Sequence, residues 1–321
     1  MHRILSFFAG RESFPILGHR THLKQTQKFF MKKVNRRNFI GRSSMLLGSA
    51  LVIPAIFRNQ GAFGSSAAVK HPIGFQVFPI REMLVKDFSG TLKMMAGLGY
   101  QTVEMCSPAG YLDTGFGPLT GIKGADMKKM INDAGLVCPS CHFTFVELKD
   151  KLDVTIEFAQ QLGLKYMVCS SFWLKDTATI KDYQDSSETL NKIAEKISKA
   201  GMITGYHNHE MEFAQRDGVL IYDAMMEKLD GNLVKMQFQT EVINLGYKAA
   251  TYFRKYPGRF ISSHLSDWTK DKKQVPIGQG VIDWKEFFAA APVGGVKNYF
   301  VEMDLNTFKD SASYIHGLLE V

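Results

Sequence analysis

One unit, repeated eight times, constrains this chain more than any other feature. A polar amphipathic stretch closes on glycine and a short apolar strand follows at once. The strands are expected at 73–78, 101–105, 137–143, 166–170, 203–207, 234–239, 260–265 and 299–303. Seven of them follow a glycine within a few residues: Gly99, Gly135, Gly163, Gly201, Gly231, Gly258 and Gly295. Glycine ends helices because it enters the left-handed conformation without a Cβ penalty. Between strands the apolar residues switch to helical spacing. Within 188–200, Leu190, Ile193, Ala194 and Ile197 share one face, and 150–162 is patterned likewise. Eight such units in about 255 residues have the count and size of a (β/α)8 barrel, an α/β fold in a single domain. A doubly wound sheet is the rival, but it often carries a glycine-rich phosphate loop, and neither GxGxxG nor GxxxxGK occurs.

The barrel is expected to occupy 67–321. The formal net charge of +8 is not its property. Residues 1–66 hold eleven Lys/Arg and one acid, Glu12, whereas 67–321 hold 28 basic and 30 acidic residues. A near-neutral barrel lacks the clustered cations that nucleic-acid binding needs. In the leader, Met31-Lys-Lys-Val-Asn-Arg-Arg-Asn-Phe-Ile-Gly41 precedes an apolar run, 45–57, and then a small-residue stretch, 61–68. That is the layout of a cleavable signal. Arg36-Arg37 with Phe39-Ile40 resembles the twin-arginine type, read by an export machinery that moves folded proteins. The run is short for a membrane span and Pro54 interrupts it, so no stable anchor is expected after cleavage. Residues 31–66 are therefore expected to be the signal, with 1–30 an extension before the true start, and the mature protein to be periplasmic or otherwise exported. The four cysteines are too few for a disulfide scaffold, and Cys138-Pro-Ser-Cys141 is expected to be an ordinary buried strand segment.

Barrel enzymes gather their active groups at the C-terminal strand ends. Six strands here end in such groups: Glu104; His142; His207, His209 and Glu212; Gln239 and Glu241; His264 and Asp267; Glu302 and Asp304. Unpaired charge in a barrel mouth is costly unless it binds something. Mixed imidazole and carboxylate donors suit Mn²⁺, Zn²⁺, Fe²⁺ or Co²⁺. The competing reading is a hydrogen-bonding mouth that holds sugar without metal. Alternation along the strand places His207 and His209 on one face. Trp173, Phe172, Phe143 and Trp268 lie just past strand ends, where they could stack on a sugar or simply pack.

Five segments together resemble the sugar phosphate isomerase/epimerase group of xylose isomerase-like TIM barrels. They are Gly99-Tyr-Gln-Thr-Val-Glu104, Tyr206-His-Asn-His-Glu-Met-Glu-Phe213, Tyr256-Pro-Gly-Arg-Phe-Ile-Ser-Ser-His-Leu-Ser-Asp267, Pro276-Ile-Gly-Gln-Gly-Val-Ile-Asp-Trp284 and Val301-Glu302. The resemblance implies one divalent ion (Mn²⁺, Zn²⁺, Co²⁺ or Mg²⁺), held at the positions of His207, Gln239, His264 and Glu302. It departs from the family pattern at two of them, where His207 stands for the usual Glu and Gln239 for the usual Asp. Glu241 or Glu212 could restore the missing charge. The implied chemistry is proton abstraction next to a sugar carbonyl, with Glu302, His209 and Glu212 as the acid/base candidates. Glu104, His142, Asp267 and Trp173 are the expected substrate contacts. Export favours a sugar or keto-sugar without phosphate. The alternatives are a 3-keto-glycoside lyase or hydrolase using the same enediolate chemistry, and a non-catalytic sugar-binding barrel.

Overall fold

The computed structural model describes residues 72–319. The leader 1–66, with its Arg36-Arg37 signal, lies outside the described residues. Eight parallel strands form a closed barrel: β1 (Ile73–Gln76), β2 (Thr102–Cys106), β3 (Val137–Phe143), β4 (Tyr166–Cys169), β5 (Ile203–His207), β6 (Val234–Gln239), β7 (Phe260–Leu265) and β8 (Asn298–Val301). Each strand pairs with its neighbours in sequence, and Ile73 of β1 against Tyr299 of β8 closes the ring. Helices on the outside cover one face of the strands and the barrel interior covers the other. Strands such as β2 and β7 are therefore buried at every residue, rather than at alternate ones.

The glycine rule works for a physical reason at six of its seven positions. Gly99, Gly135, Gly163, Gly201, Gly258 and Gly295 all have φ between 71° and 98°. Gly231 is the exception. It is glycine because a Cβ there would lie 2.8 Å from Arg259 Nε. The helix expected from 188 begins eight residues earlier and spans Ile180–Lys199. Thr179 and Asp182 form a capping box at its start, a signal that the apolar spacing alone does not carry. All four cysteines are reduced and buried, Cys138 and Cys141 within β3.

Candidate functional site

The site is built on alternate strands, as barrel packing requires. β3, β5 and β7 contribute His142, His207 and His264 at one level of the interior. Their ring centroids lie 4.9 Å (His142–His207), 5.0 Å (His142–His264) and 4.3 Å (His207–His264) apart. One nitrogen from each falls within 4.8 Å of the others, a spacing that a single metal ion could bridge. His207 Nδ1 is buried and has no hydrogen-bond partner. Burial, reinforced by the neighbouring imidazoles, holds His207 well below the ordinary histidine range. It is therefore neutral, which is the form a metal takes.

Glu104 of β2 organises this layer. Its Oε1 accepts from Ser140 Oγ (2.5 Å) and Gln237 Nε2 (2.8 Å), and its Oε2 from His264 Nε2 (2.5 Å), with His142 Nε2 at 3.2 Å. His142 also donates from Nε2 to Gln237 Oε1 (2.6 Å). Gln237 Nε2 additionally donates to Ser262 Oγ at 2.9 Å, so the inner polar layer is closed on itself. Burial would push the Glu104 carboxyl up, but His142 and His264 together hold it well below the usual carboxylate range. His264 sits between two carboxylates, donating from Nδ1 to Glu302 Oε2 at 2.8 Å and from Nε2 to Glu104. Burial works against its charge, yet Glu302 and Glu104 outweigh it and lift the imidazole to about 10. The reciprocal effect on Glu302 overcomes burial and lowers that carboxyl to about 2.

Above the histidines the mouth opens into a cavity of about 420 Å³. Glu302 lies one residue beyond β8, and Gln239 Nε2 donates to its Oε2 at 2.7 Å. β5 stops at His207, so His209 stands in the following loop rather than on the strand. The two rings nevertheless meet, 4.7 Å apart, and the Trp173 ring lies 4.7 Å from that of His209. His209 Nδ1 is buried without a partner, and burial lowers the ring to about 4 against the pull of Glu302. Glu241 also faces the cavity. Burial, followed by the charges of Glu210 and Glu302, raises its carboxyl to about 7.

The structure brings His207, His209, Gln239, His264, Glu302, His142 and Trp173 together at this mouth. It gives five of the expected residues partners that the sequence did not suggest. His142 joins the imidazole cluster while it also lines the cavity. Glu104 lies below the cavity, fully buried, and orients His142 and His264 instead of touching sugar hydroxyls. Gln239 turns its amide nitrogen to Glu302, so it braces a candidate ligand and does not present its oxygen as one. Glu212 is fully buried, and its carboxylate is occupied by Ser171 Oγ (2.6 Å), Tyr206 OH (2.7 Å) and the His209 backbone N–H (2.8 Å). It fixes the loop that carries His209 and has no free face for acid/base work. Asp267 accepts from Trp284 Nε1 (2.8 Å) and from the backbone N–H groups of Trp268, Gly278, Gly280 and Ile282 (2.9–3.3 Å). It ties down the loop after β7. A Cβ on Gly280 would meet Asp267 Oδ1 at 2.1 Å, so glycine is required there.

Sequence reasoning missed the Glu104–Ser140–Gln237–Ser262 network, and it offered Glu241 as a compensating charge and not as a group titrating near 7. Gln237 and Gln239 alternate on β6, and that spacing was the available signal for two inward amides.

The donor chemistry fits a divalent cation. The cluster offers a neutral, unpartnered imidazole in His207, a second imidazole in His142, and the His264–Glu302 pair. Glu104 behind His264 has the outer-carboxylate arrangement that orients metal-ligating histidines.

Comparison with known proteins agrees with this architecture. The sequence model described as "Xylose isomerase-like TIM barrel" matches residues 92–303. A sugar phosphate isomerase/epimerase from Parabacteroides distasonis ATCC 8503 superposes with a TM-score of 0.67 at 25% identity, over 81% of this chain and 98% of that one. The structure of an L-ribulose 3-epimerase gives 0.57 at 16% identity, over 78% and 95% of the two chains. A xylose isomerase-like TIM barrel protein from Mycobacterium smegmatis, solved in complex with magnesium, gives 0.57 at 12% identity, over 78% and 97%. No curated protein sequence matches the chain.

Proposed function

We propose that this chain, which belongs to the xylose isomerase-like TIM barrel family, is a divalent-metal-dependent isomerase or epimerase of an unphosphorylated sugar. One observation carries this reading. Three imidazoles from alternate strands converge under an open mouth, and one of their nitrogens, His207 Nδ1, is buried with nothing to bond. The isomerase/epimerase and the epimerase among the structural relatives support it.

His142, His207 and His264 would hold the ion, with Glu302 beside His264. When bound, the ion supplies Lewis acidity to a sugar carbonyl and so acidifies the adjacent C–H. The remaining work falls to the chain's own residues. For His264 to coordinate, its Nδ1 must release the proton it shares with Glu302, while Nε2 stays with Glu104. Glu241 is the best acid/base candidate, because a group near 7 is present in both forms at neutral pH. His209 is neutral and faces the same cavity. Glu302, held at about 2 by its imidazole partner, is a weak base while that pairing lasts.

Two features support a substrate without phosphate. Among the described residues, no Lys or Arg lines the mouth. The twin-arginine-like leader supports export, away from most phosphorylated sugars. Replacing Arg36 and Arg37 by Lys should retain the protein in the cytoplasm, as read by cell fractionation.

The test of the activity is metal analysis of the purified protein together with deuterium uptake from solvent into a panel of aldoses and ketoses. Stoichiometric metal and exchange into a sugar are expected, and His207→Ala should lose both. Protein that takes up no metal and exchanges no sugar proton is a sugar-binding barrel at most. Release of a sugar substituent in the same assay would mark elimination instead of isomerisation.

A further inference from the structure

Alternate strands bring three imidazoles to one level of the barrel, and β1 brings the fourth side chain of that level, Gln76. Its neighbour Phe75 packs outward against Tyr100 and Phe308, with ring centroids 5.6 and 6.4 Å away, so Gln76 faces inward. Strand pairing sets its height. Gln76 pairs with Glu104 on β2, Glu104 with Ser140 on β3, and His142 lies two residues on. From the other side, His264 pairs with Phe300 on β8, Phe300 with Gly74 on β1, and Gln76 lies two residues on. A gain of two residues per two strands is the stagger of an eight-stranded barrel, whose layers take four side chains from alternate strands. Gln76 therefore completes the ring of His142, His207 and His264. β1 and β5 are four strands apart in either direction, which sets Gln76 opposite His207.

Gln76 is fully buried, like His264, and closes the floor of the mouth. Its Oε1 accepts from the Phe78 N–H. Only an oxygen can answer that donor, so the amide has one orientation. Nε2 keeps both its hydrogens, and its one partner among the described residues is Cys106 Sγ at 3.3 Å. A thiol sulfur is a weak acceptor, and a buried donor left unmatched is costly. The other two amides of the site are better matched. Gln237 Nε2 donates to Glu104 and Ser262, and Gln239 Nε2 donates to Glu302. A purely structural Gln76 would be matched likewise. Its oxygen is spent on the backbone, so it does not join the imidazoles as a ligand of the ion.

We propose that Gln76 is a catalytic residue: its spare N–H donates to the carbonyl oxygen of the substrate and stabilises the negative charge that this oxygen gains as the adjacent proton leaves. This rests on the reading of the mouth as an isomerase site. A substrate atom within reach of Gln76 has descended to the level of the imidazoles, and there the reacting carbonyl is the group that needs a donor. The amide is neutral, so it lends a hydrogen bond without exchanging a proton, and proton transfer stays with Glu241. A fixed donor aimed where charge develops acts most strongly in a buried floor, away from water.

The test compares two kinds of ligand of the metal-loaded protein by calorimetry. Hydroxamates of several aldonic acids carry the negative oxygen of the deprotonated sugar, and the matching alditols carry none. Gln76→Met keeps the length of the side chain and removes the N–H. It should weaken the best hydroxamate about 100-fold and the matching alditol less than about threefold, with metal uptake unchanged. Should that variant fail to fold, the parent answers by NMR. The side-chain NH2 signals of Gln76, assigned through the bonds of the side chain, should move on adding the hydroxamate and much less on adding the alditol. Equal losses for the two ligands, or unmoved NH2 signals, would overturn the assignment, while deuterium exchange into a sugar would still uphold the isomerase. A parent that binds no hydroxamate and exchanges no sugar proton would sink the isomerase reading itself, and the role of Gln76 with it.

Discussion

Glu104→Gln tests whether one buried carboxylate holds the histidine layer in its charged arrangement. The substitution keeps the size and removes the charge. In the parent, the carboxylate answers Ser140 Oγ, Gln237 Nε2 and His264 Nε2 at 2.5, 2.8 and 2.5 Å, with His142 Nε2 at 3.2 Å. An amide has only one oxygen. If that oxygen stays with the imidazoles, the new NH2 faces Ser140 and the Gln237 amide nitrogen. Ser140 can rotate to accept. Gln237 can do so only by turning its Oε1 away from His142, 2.6 Å distant. At least one buried donor is left unmatched, which costs about 1–3 kcal/mol. His264 also keeps one counter-ion of two, and removing one partner of a buried ion pair costs about 3–5 kcal/mol. The two losses overlap, and His264 can shed its proton, so the combined loss is about 3–4 kcal/mol. For a domain of this size that is a Tm drop of roughly 6–16 °C. Scanning calorimetry of the metal-free protein at neutral pH measures it. The pH at which His264 deprotonates should also fall, as read by imidazole NMR signals. A Tm within about 2 °C of the parent, under 1 kcal/mol, would refute the argument.

Other consequences are open to test. In the metal-free protein, His264 is raised from 6.5 to about 10, so its stabilisation is complete below 6.5 and is lost as pH rises through about 10. Glu302 is lowered from 4.5 to about 2, so its share is complete above 4.5 and is lost as pH falls through about 2. Urea unfolding across pH should therefore show both limbs, and a Glu302→Gln variant should shrink the acidic one to the share left by Glu104. Asp267→Asn should lower the Tm while proton exchange persists at permissive temperature, because Asp267 meets the loop and not the cavity. An equally stable variant would show that its five donors matter little. Glu241→Gln should abolish or severely slow exchange while metal stoichiometry is retained, and full activity would remove Glu241 from the mechanism.

The barrel was legible because its information is local. A glycine at the helix end, an apolar run and a helical stripe each lie within a few consecutive residues. The location of the site was legible for the same reason, since His142, His207, His264 and Glu302 each stand at a strand end. Their roles were not, because partnership is set by residues far apart in the chain. Glu104 reaches His264 across 160 positions and Gln237 across 133. An isolated acid at a strand end gives no sign of whether its carboxylate will face the cavity, like Glu241, or be saturated by N–H donors, like Asp267. The helix start at Ile180 shows the same divide on a smaller scale. It is encoded by Thr179 and Asp182, not by the apolar stripe.

The three imidazoles arrive on three separate strands, each with its own helix and its own loop. No two share a backbone segment, so each position is inherited independently of the others. A change at His207 alters one donor without moving those on β3 or β7, and the strand pairing beneath is indifferent to it. Such a centre can be retuned one residue at a time, from anionic to neutral donors and back, while the barrel stays folded.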